Sequence, residues 1–312
     1  MIFGAGKHKY QLVESWAKCP DTYDMGDVCG VSVDLNDRVY VFNRSDNPVM
    51  VFAPNGKLTS SIARGYFTAI HHGFVDSEGS IYCADYEDHT VIKIDIQGQK
   101  LLELGKKGHA SDTGYVRLSE VYPSLATIRE GGDPFNRPTG VALSSSGDIF
   151  VSDGYGNARI HKFNSQGKLL LSWGEPGDDP GQFRLPHGIF ADKLDRLWVA
   201  DRENDRIQVF DKEGRFLFQW LQLGRPTDVI IDREGTVYIT ELARRISIYD
   251  PEGNLLARWG SQGDDRKSAL FLAPHSVAVD SKGDIYVGEV PFINEGIKRG
   301  SSAIKKFTKI SE

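Results

Sequence analysis

Along this chain the apolar residues fall in short runs rich in Val, Ile and aromatics, each closed by Gly, Asp or Asn. That pattern predicts strands throughout, because branched and aromatic side chains suit a pleated surface and the turn residues end it. No segment carries a convincing helical period, so repeated βαβ units are disfavoured. One pattern recurs six times. A small residue opens a short apolar strand, an Asp-x-x-Gly-type turn follows, and a second strand ends in an acid. After a loop come an Ile-x-x-Phe strand, a Gly turn and a last strand. The third copy reads Val141-Ala-Leu143, Ser146-Gly147, Ile149-Phe-Val-Ser-Asp153, Ile160-His-Lys-Phe163 and Leu171-Ser-Trp-Gly174. Matching aromatics stand at Tyr40, Tyr82, Phe150, Trp198, Tyr238 and Tyr286, mostly at intervals in the forties. That is the period of four-stranded propeller blades.

The pattern therefore predicts an all-β, six-bladed β-propeller, one domain over residues 1–312. The sixth copy resumes as Ala303-Ile-Lys-Lys-Phe307 and lacks its outermost strand. The N-terminal Tyr10-Gln-Leu-Val-Glu-Ser-Trp16 resembles the outer strand Leu169-Leu-Leu-Ser-Trp173. A strand at about residues 10–17 is expected to pair onto the last blade and close the ring, covering an exposed edge. The interval from Tyr82 to Phe150 is too long for one blade, so residues 106–137 form an insertion between blades two and three. A smaller irregularity, from Pro291 to Gly300, interrupts blade six. Such loops are surface decorations, lids or oligomer contacts.

Composition narrows the partners. The net charge is −6, with acids and bases interspersed, so the concentrated cationic surface needed for nucleic acid or an anionic membrane is missing. The N-terminus lacks the apolar run of a signal peptide, and no apolar stretch approaches the roughly 20 residues that span a bilayer. Cys19, Cys29 and Cys83 are odd in number and without CxxC spacing, and read as reduced thiols. A cytoplasmic location is expected.

The repeats act as an internal control. Asp34, Asp76, Asp192, Asp232 and Asp280 recur at the first hairpin, where an Asp caps its own turn. Asp85, Asp153, Asp201, Glu241 and Glu289 recur at the end of the second strand. Residues repeated in nearly every blade serve the blade. The histidines behave differently. His71, His187 and His275 each stand the same number of residues before the blade's aromatic, in Ile70-His71-His72-Gly73, Pro186-His187-Gly188-Ile189 and Pro274-His275-Ser276-Val277. Cys29, Thr139 and Thr227 hold that address in the alternate blades. A ring of six sets alternate blades about 120° apart, so the three imidazoles can converge on one axis. Three neutral imidazoles match a catalytic site for zinc or another divalent transition metal, with a fourth position open. The plainer alternative is three polar residues lining a wet channel. Spacing favours His71 as the ligand, and strand neighbours face opposite ways, so His72 should point elsewhere. His161 and His89 read as structural.

In an antiparallel blade the start of the first strand and the end of the second lie together. Residues just past the recurrent acid should therefore surround the histidines: Arg44, Tyr86, Tyr155 and Arg202 among them. Arginine holds a carboxylate through its planar fork, and a tyrosine near a cation can serve as a base. A small anionic, hydroxylated substrate fits these groups. A salt bridge within Asp201-Arg-Glu-Asn204 is the plainer role for Arg202.

The stretch Gly-Gln-Phe-Arg-Leu-Pro-His187-Gly-Ile and the stretch Ala200-Asp-Arg-Glu-Asn204-Asp-Arg-Ile-Gln-Val-Phe210 resemble the NHL repeat. Val151-Ser-Asp-Gly-Tyr155-Gly-Asn-Ala-Arg-Ile160 is similar to a stretch of the peptidyl-α-hydroxyglycine α-amidating lyases, also called peptidylamidoglycolate lyases, and the resemblance is closer still to bacterial NHL proteins that borrow the lyase name. The resemblance runs from about Gly30 to Phe307. It implies that His71, His187 and His275 hold zinc, that Tyr155 is the catalytic base, and that Arg44 and Arg202 are active-site arginines. The implied reaction cleaves an N-acyl-α-hydroxyglycine into an amide and glyoxylate. It also implies a structural calcium held partly by the backbone of Val31 and Gly73. The chain departs from the family at Ser276, where a carboxylate ligand is expected, and at Ala273, where a methionine is expected. Two rival activities remain at this stage. One is a metal-dependent propeller hydrolase acting on lactones or esters, and the other a non-catalytic NHL interaction module.

Overall fold

Each repeat folds as one antiparallel sheet in a computed structural model that describes residues 1–20, 22–260 and 269–310. The six sheets are the blades of a six-bladed β-propeller. Their first strands are Val28–Val33, Ile70–Val75, Pro138–Leu143, Pro186–Ala191, Pro226–Ile231 and Pro274–Val279, and five blades run through four strands in chain order. Blade six is built from both ends of the chain. Its strands Pro274–Val279, Ile285–Glu289 and Ile304–Lys309 are followed by the N-terminal strand His8–Val13, which sets Leu12 opposite Phe307 and Val13 opposite Lys306. A fifth strand, Ile2–Ala5, turns back onto that one. The closing strand thus starts before residue 10 and stops at Val13. Trp16 leaves the ladder and enters the core, packing on Phe52 and Tyr286 while its indole N–H donates to the Pro54 carbonyl at 3.1 Å.

The recurrent hairpin acids do more than cap. Asp34 Oδ1 accepts from the backbone of Asn36 and Arg38, and Asp192, Asp232 and Asp280 make the equivalent turns. The second carboxylate oxygen takes a donor from the blade's aromatic six residues on. Tyr40, Trp198, Tyr238 and Tyr286 reach it at 3.3, 3.0, 2.9 and 3.0 Å. In blade three the acid's place is held by Ser144, and the aromatic is Phe150, which has no donor to offer. Burying a hydroxyl or indole N–H without a partner costs about 1–3 kcal/mol, so the two positions vary together.

By contact density the chain divides into two compact units, one of Phe67–Asp76 and Ser80–Pro226, the other of Met1–Tyr66, Ser77–Gly79 and Thr227–Glu312. In the first, Tyr82, Val91, Val141, Val151 and Phe163 pack between blades two and three, and Phe150, Ile160, Phe183, Val199 and Phe210 between three and four. In the second, Tyr238, Ile248, Trp259, Phe271 and Phe307 fill the space between blades five and six. Val28, Val41, Phe52, Tyr286 and Ile304 do so between six and one. Each such side chain, removed from water, contributes about 1.5–3 kcal/mol. The two irregular segments carry short helices, Val121–Leu125 in the insertion and Pro291–Glu295 in blade six. No helix among the described residues is long and apolar enough to cross a membrane.

Candidate active site

A β-bulge places each histidine. In blade two the ladder pairs Ile70 with Asp85 and then His72 with Ala84, leaving His71 as the extra residue. The same break isolates Cys29, Thr139 and His275, and in blade four it takes in His187 and Gly188. A bulge bends the strand and re-aims one side chain. In these five blades the shared address is therefore a bulge, and His72, back in register, belongs to the ladder.

Two of the histidines rest on the backbone of the next blade's bulge. His71 Nδ1 donates to the Thr139 carbonyl at 2.7 Å, and His275 Nδ1 donates to the Cys29 carbonyl at 2.8 Å. A carbonyl only accepts, so Nδ1 carries a proton and Nε2 is the ring nitrogen that would face a metal. All three histidines are buried, and the ligand atoms of His71, His187 and His275 lie within 4.8 Å of one another. His71 and His187 meet edge to face, with ring centroids 4.7 Å apart. Zinc takes imidazole nitrogen at about 2.0–2.1 Å, and three ring nitrogens gathered this closely could share one ion. Three imidazoles with no carboxylate among them, two of them oriented by a backbone carbonyl, fit such a metal.

The alternate addresses brace this arrangement. Thr139 Oγ1 lies 2.7 Å from the Pro186 carbonyl and 3.0 Å from both the carbonyl and the hydroxyl of Ser152. Thr227 repeats the pattern toward the Pro274 carbonyl at 3.0 Å and toward Thr240. Each threonine thus fixes the residue that precedes the next histidine.

Tyr155 follows Gly154 at the end of the second strand of blade three. A Cβ on Gly154 would stand 2.2 Å from the Pro186 carbonyl oxygen; only glycine lets the tyrosine loop close on the strand of His187. The Tyr155 ring lies 5.2 Å from that of His71 and 6.1 Å from that of His187. Arg202 Nη1 donates to Tyr155 Oη at 3.1 Å, and its Nε donates to Glu203 at 2.9 Å. Glu203 also accepts from Arg225 at 2.7 Å. Burial opposes both charges, but Tyr155 and Glu203 hold the Arg202 guanidinium above its ordinary pKa, and Arg202 with Arg225 holds Glu203 below the usual carboxylate range. The salt bridge expected for Arg202 and its place beside the tyrosine coexist.

Arg44 lies just past Asn43 in blade one, half-buried, its backbone N–H donating to the Asp27 carbonyl at 3.0 Å. Val31 and Gly73 sit inside their ladders, opposite Val41 and Cys83. The three histidines are the one group of three or more potential metal-ligating side chains among the described residues, and Ser276 offers a buried hydroxyl. The recurrent second-strand acids are occupied by the fold. Asp85 takes the backbone of Thr68 and Ala69, Asp153 that of Asn136, Asp201 that of Arg184, and Glu289 that of Leu272.

Sequence reasoning missed Arg137. It ends the insertion, is 5% exposed, stacks over Tyr86 at 4.9 Å and pairs with Glu87. Tyr86 in turn stands 5.7 Å from His71. The available signal was its position two residues before the bulge address of blade three. The insertion also reaches the site: Leu125 and Ile128 pack with Leu185, and Tyr155 packs against that cluster.

The chain is similar to several known proteins. The NHL repeat model matches residues 135–163 and 183–210. The chain is 30% identical to human NHL repeat-containing protein 3, covering 90% of this chain and 81% of that one. It is 27% identical to the rat peptidylglycine alpha-amidating monooxygenase over 89% of its own length, and it spans 31% of that longer protein. Identity to the Drosophila melanogaster peptidyl-alpha-hydroxyglycine alpha-amidating lyase 2 is 26%, covering 89% of this chain and 72% of the relative. Among solved structures, the Staphylococcus aureus virginiamycin B lyase superposes with a TM-score of 0.62 at 16% identity, covering 96% of this chain and all of that one. A Xanthomonas campestris gluconolactonase gives 0.63 at 14% identity, with 92% and 87% covered. Both share the fold.

Proposed function

Since the chain belongs to the NHL repeat family, we propose that it is the kind of member that carries a metal-dependent lyase site. In this reading it cleaves the C–N bond of a small N-acyl-α-hydroxyglycine-like substrate into an amide and glyoxylate. The observation that carries the reading is the convergence of His71, His187 and His275, two of them with Nδ1 committed to a carbonyl, beside the Tyr155–Arg202 pair. The lyase names among the relatives support it.

His71, His187 and His275 would hold zinc or another divalent transition metal through Nε2. Such a metal, when bound, supplies Lewis acidity that lowers the pKa of a hydroxyl as it does of water. Tyr155 Oη takes the proton of the substrate's α-hydroxyl. The oxygen's electron pair forms the aldehyde carbonyl of glyoxylate, and the C–N pair departs with nitrogen. Tyr155 returns the proton to that nitrogen, completing the amide. No water, oxidant or reductant is consumed. Arg202, whose Nη1 donates to Tyr155 Oη, stabilises the phenolate that takes the proton and is regenerated when the proton is returned, and Arg44 clamps the substrate carboxylate.

The test is metal analysis of protein prepared without chelator, beside glyoxylate release from an N-acyl-α-hydroxyglycine, for wild type and His187→Ala. Stoichiometric metal and glyoxylate in the wild type, both lost in the variant, are expected. A wild type unable to bind added zinc overturns the reading. Bound metal with ester or lactone turnover and no glyoxylate would move the protein to the hydrolases.

A further inference from the structure

A pocket of about 230 Å³ opens in the unit that carries Tyr155, between the insertion and the loops of blades three and four. Leu125, Ala126 and Ile128 of the insertion form one wall, and Ala158, Phe183 and Leu185 the other. The polar groups at its border are already engaged. Arg184 Nη1 donates to Tyr122 Oη at 3.1 Å, and the Asn157 amide is tied to Asp153 and Gly132. What the pocket presents to a ligand is mostly hydrocarbon, with the Arg184 guanidinium at its border.

Its walls are also the supports of the proposed site. Leu185 stands two residues before His187, and its carbonyl accepts the Arg202 backbone N–H at 3.0 Å. Ala158 stands three residues after Tyr155. Tyr155 itself packs on the Leu125–Ile128–Leu185 cluster that floors the pocket. A substrate whose α-hydroxyl meets Tyr155 therefore lies against the same apolar cluster that this cavity borders. Size restricts the occupant further. Drug-sized ligands fill about 300–1,000 Å³, whereas a cavity of about 150 Å³ already takes benzene. This pocket suits one substituent rather than a whole ligand.

We infer that the pocket is an acyl subsite, receiving an aromatic or branched apolar acyl group of the substrate, with the insertion setting the preference. The inference rests on the proposed lyase reading for the N-acyl shape of the ligand. N-benzoylglycine and N-acetylglycine lack the hydroxyl to be cleaved, so their binding by calorimetry reports the pocket without the chemistry. Wild type is expected to bind the benzoyl compound at least tenfold more tightly. Ala126→Trp, at an exposed position, fills the cavity; it should abolish that difference, leave N-acetylglycine binding as it was, and keep the wild-type melting temperature. Tyr122→Ala opens the rim and is expected to weaken the preference without reversing it.

Equal binding of the two compounds, no binding of either, or a preference that survives Ala126→Trp overturns the subsite. Turnover of the matching α-hydroxyglycines separates the two readings. A benzoyl preference without glyoxylate keeps the pocket and removes the lyase. Glyoxylate released with equal kcat/KM from both keeps the lyase and removes the pocket.

Discussion

The clamps under His71 and His275 do one job with different materials. Under His71 the carbonyl belongs to Thr139, whose hydroxyl is tied to Pro186 and Ser152 within 3.0 Å. Under His275 the carbonyl belongs to Cys29, whose thiol makes a 3.3 Å contact with the Phe42 carbonyl. Thiols are weak donors, so the Cys29 bulge is held more by packing in a fully buried position than by its side chain. The histidine sees the same backbone oxygen in both. What must persist at the alternate address is a bulge that aims a carbonyl; the side chain there only stiffens it.

The largest expected effect tests whether the two histidines are equals. His71→Ala and His275→Ala should each lower metal affinity by more than the roughly 100-fold that loss of an outer-shell partner costs. Metal content and a competitive zinc titration would check this. Retention of metal by one variant and not the other would break the symmetry. Next, Tyr155→Phe should leave metal binding intact and reduce glyoxylate release by about 10²–10⁴-fold, the usual range for a proton-transfer group. A fall in metal content instead would mean that the ring serves the histidine rather than the substrate.

Thr139→Val and Cys29→Ala sharpen the clamps themselves. The valine leaves the buried Pro186 carbonyl without the Thr139 hydroxyl, and a cost of about 1–3 kcal/mol in urea unfolding is expected. Cys29→Ala removes a weak donor and a small volume, and should cost less than Thr139→Val. Zinc affinity should change less than tenfold in both, because the carbonyl that orients the imidazole remains. A large affinity loss in Cys29→Ala would show that the thiol matters to the metal after all.

This contrast also explains how much could be read in advance. The blades were legible because strand alternation and turn residues are side-chain properties, and so was the choice of His71, since equal spacing to Tyr82, Trp198 and Tyr286 marks one structural address. The clamps were not legible. Cys29, Thr139 and Thr227 looked like blades without a histidine, whereas Cys29 and Thr139 hold the histidines of their neighbours through a carbonyl every residue possesses. Arg137 was hidden because an insertion has no repeat to compare it with. The contact of Leu125 and Ile128 with Tyr155 was hidden for the same reason, and the five-residue helix that ends at Leu125 is too short to show a period. The hairpin acids had the reverse problem: their recurrence marked them as structural, but their bond to the aromatic shows only in Ser144 and Phe150, the blade that lacks both partners.

The smallest effect concerns the ion chain beside Tyr155. Glu203 is buried between Arg202 and Arg225, and burial, which alone would raise its pKa, is outweighed by the two guanidinium groups. Its pKa is therefore lower folded than unfolded, where a glutamate titrates near 4.3. A depressed carboxylate contributes stability that is fully present above the unfolded value and is lost as pH falls through the folded one. Glu203→Gln keeps a hydrogen-bond acceptor for Arg202 but has no charge to titrate. Urea midpoints of wild type and variant should therefore differ by a constant amount above about pH 5 and draw together as the pH falls below the unfolded value and through the folded one. A gap that widens toward acid would reverse the sign and place the carboxylate in an environment that disfavours its charge. A gap independent of pH would mean that the Glu203 charge does nothing to hold Arg202 beside Tyr155.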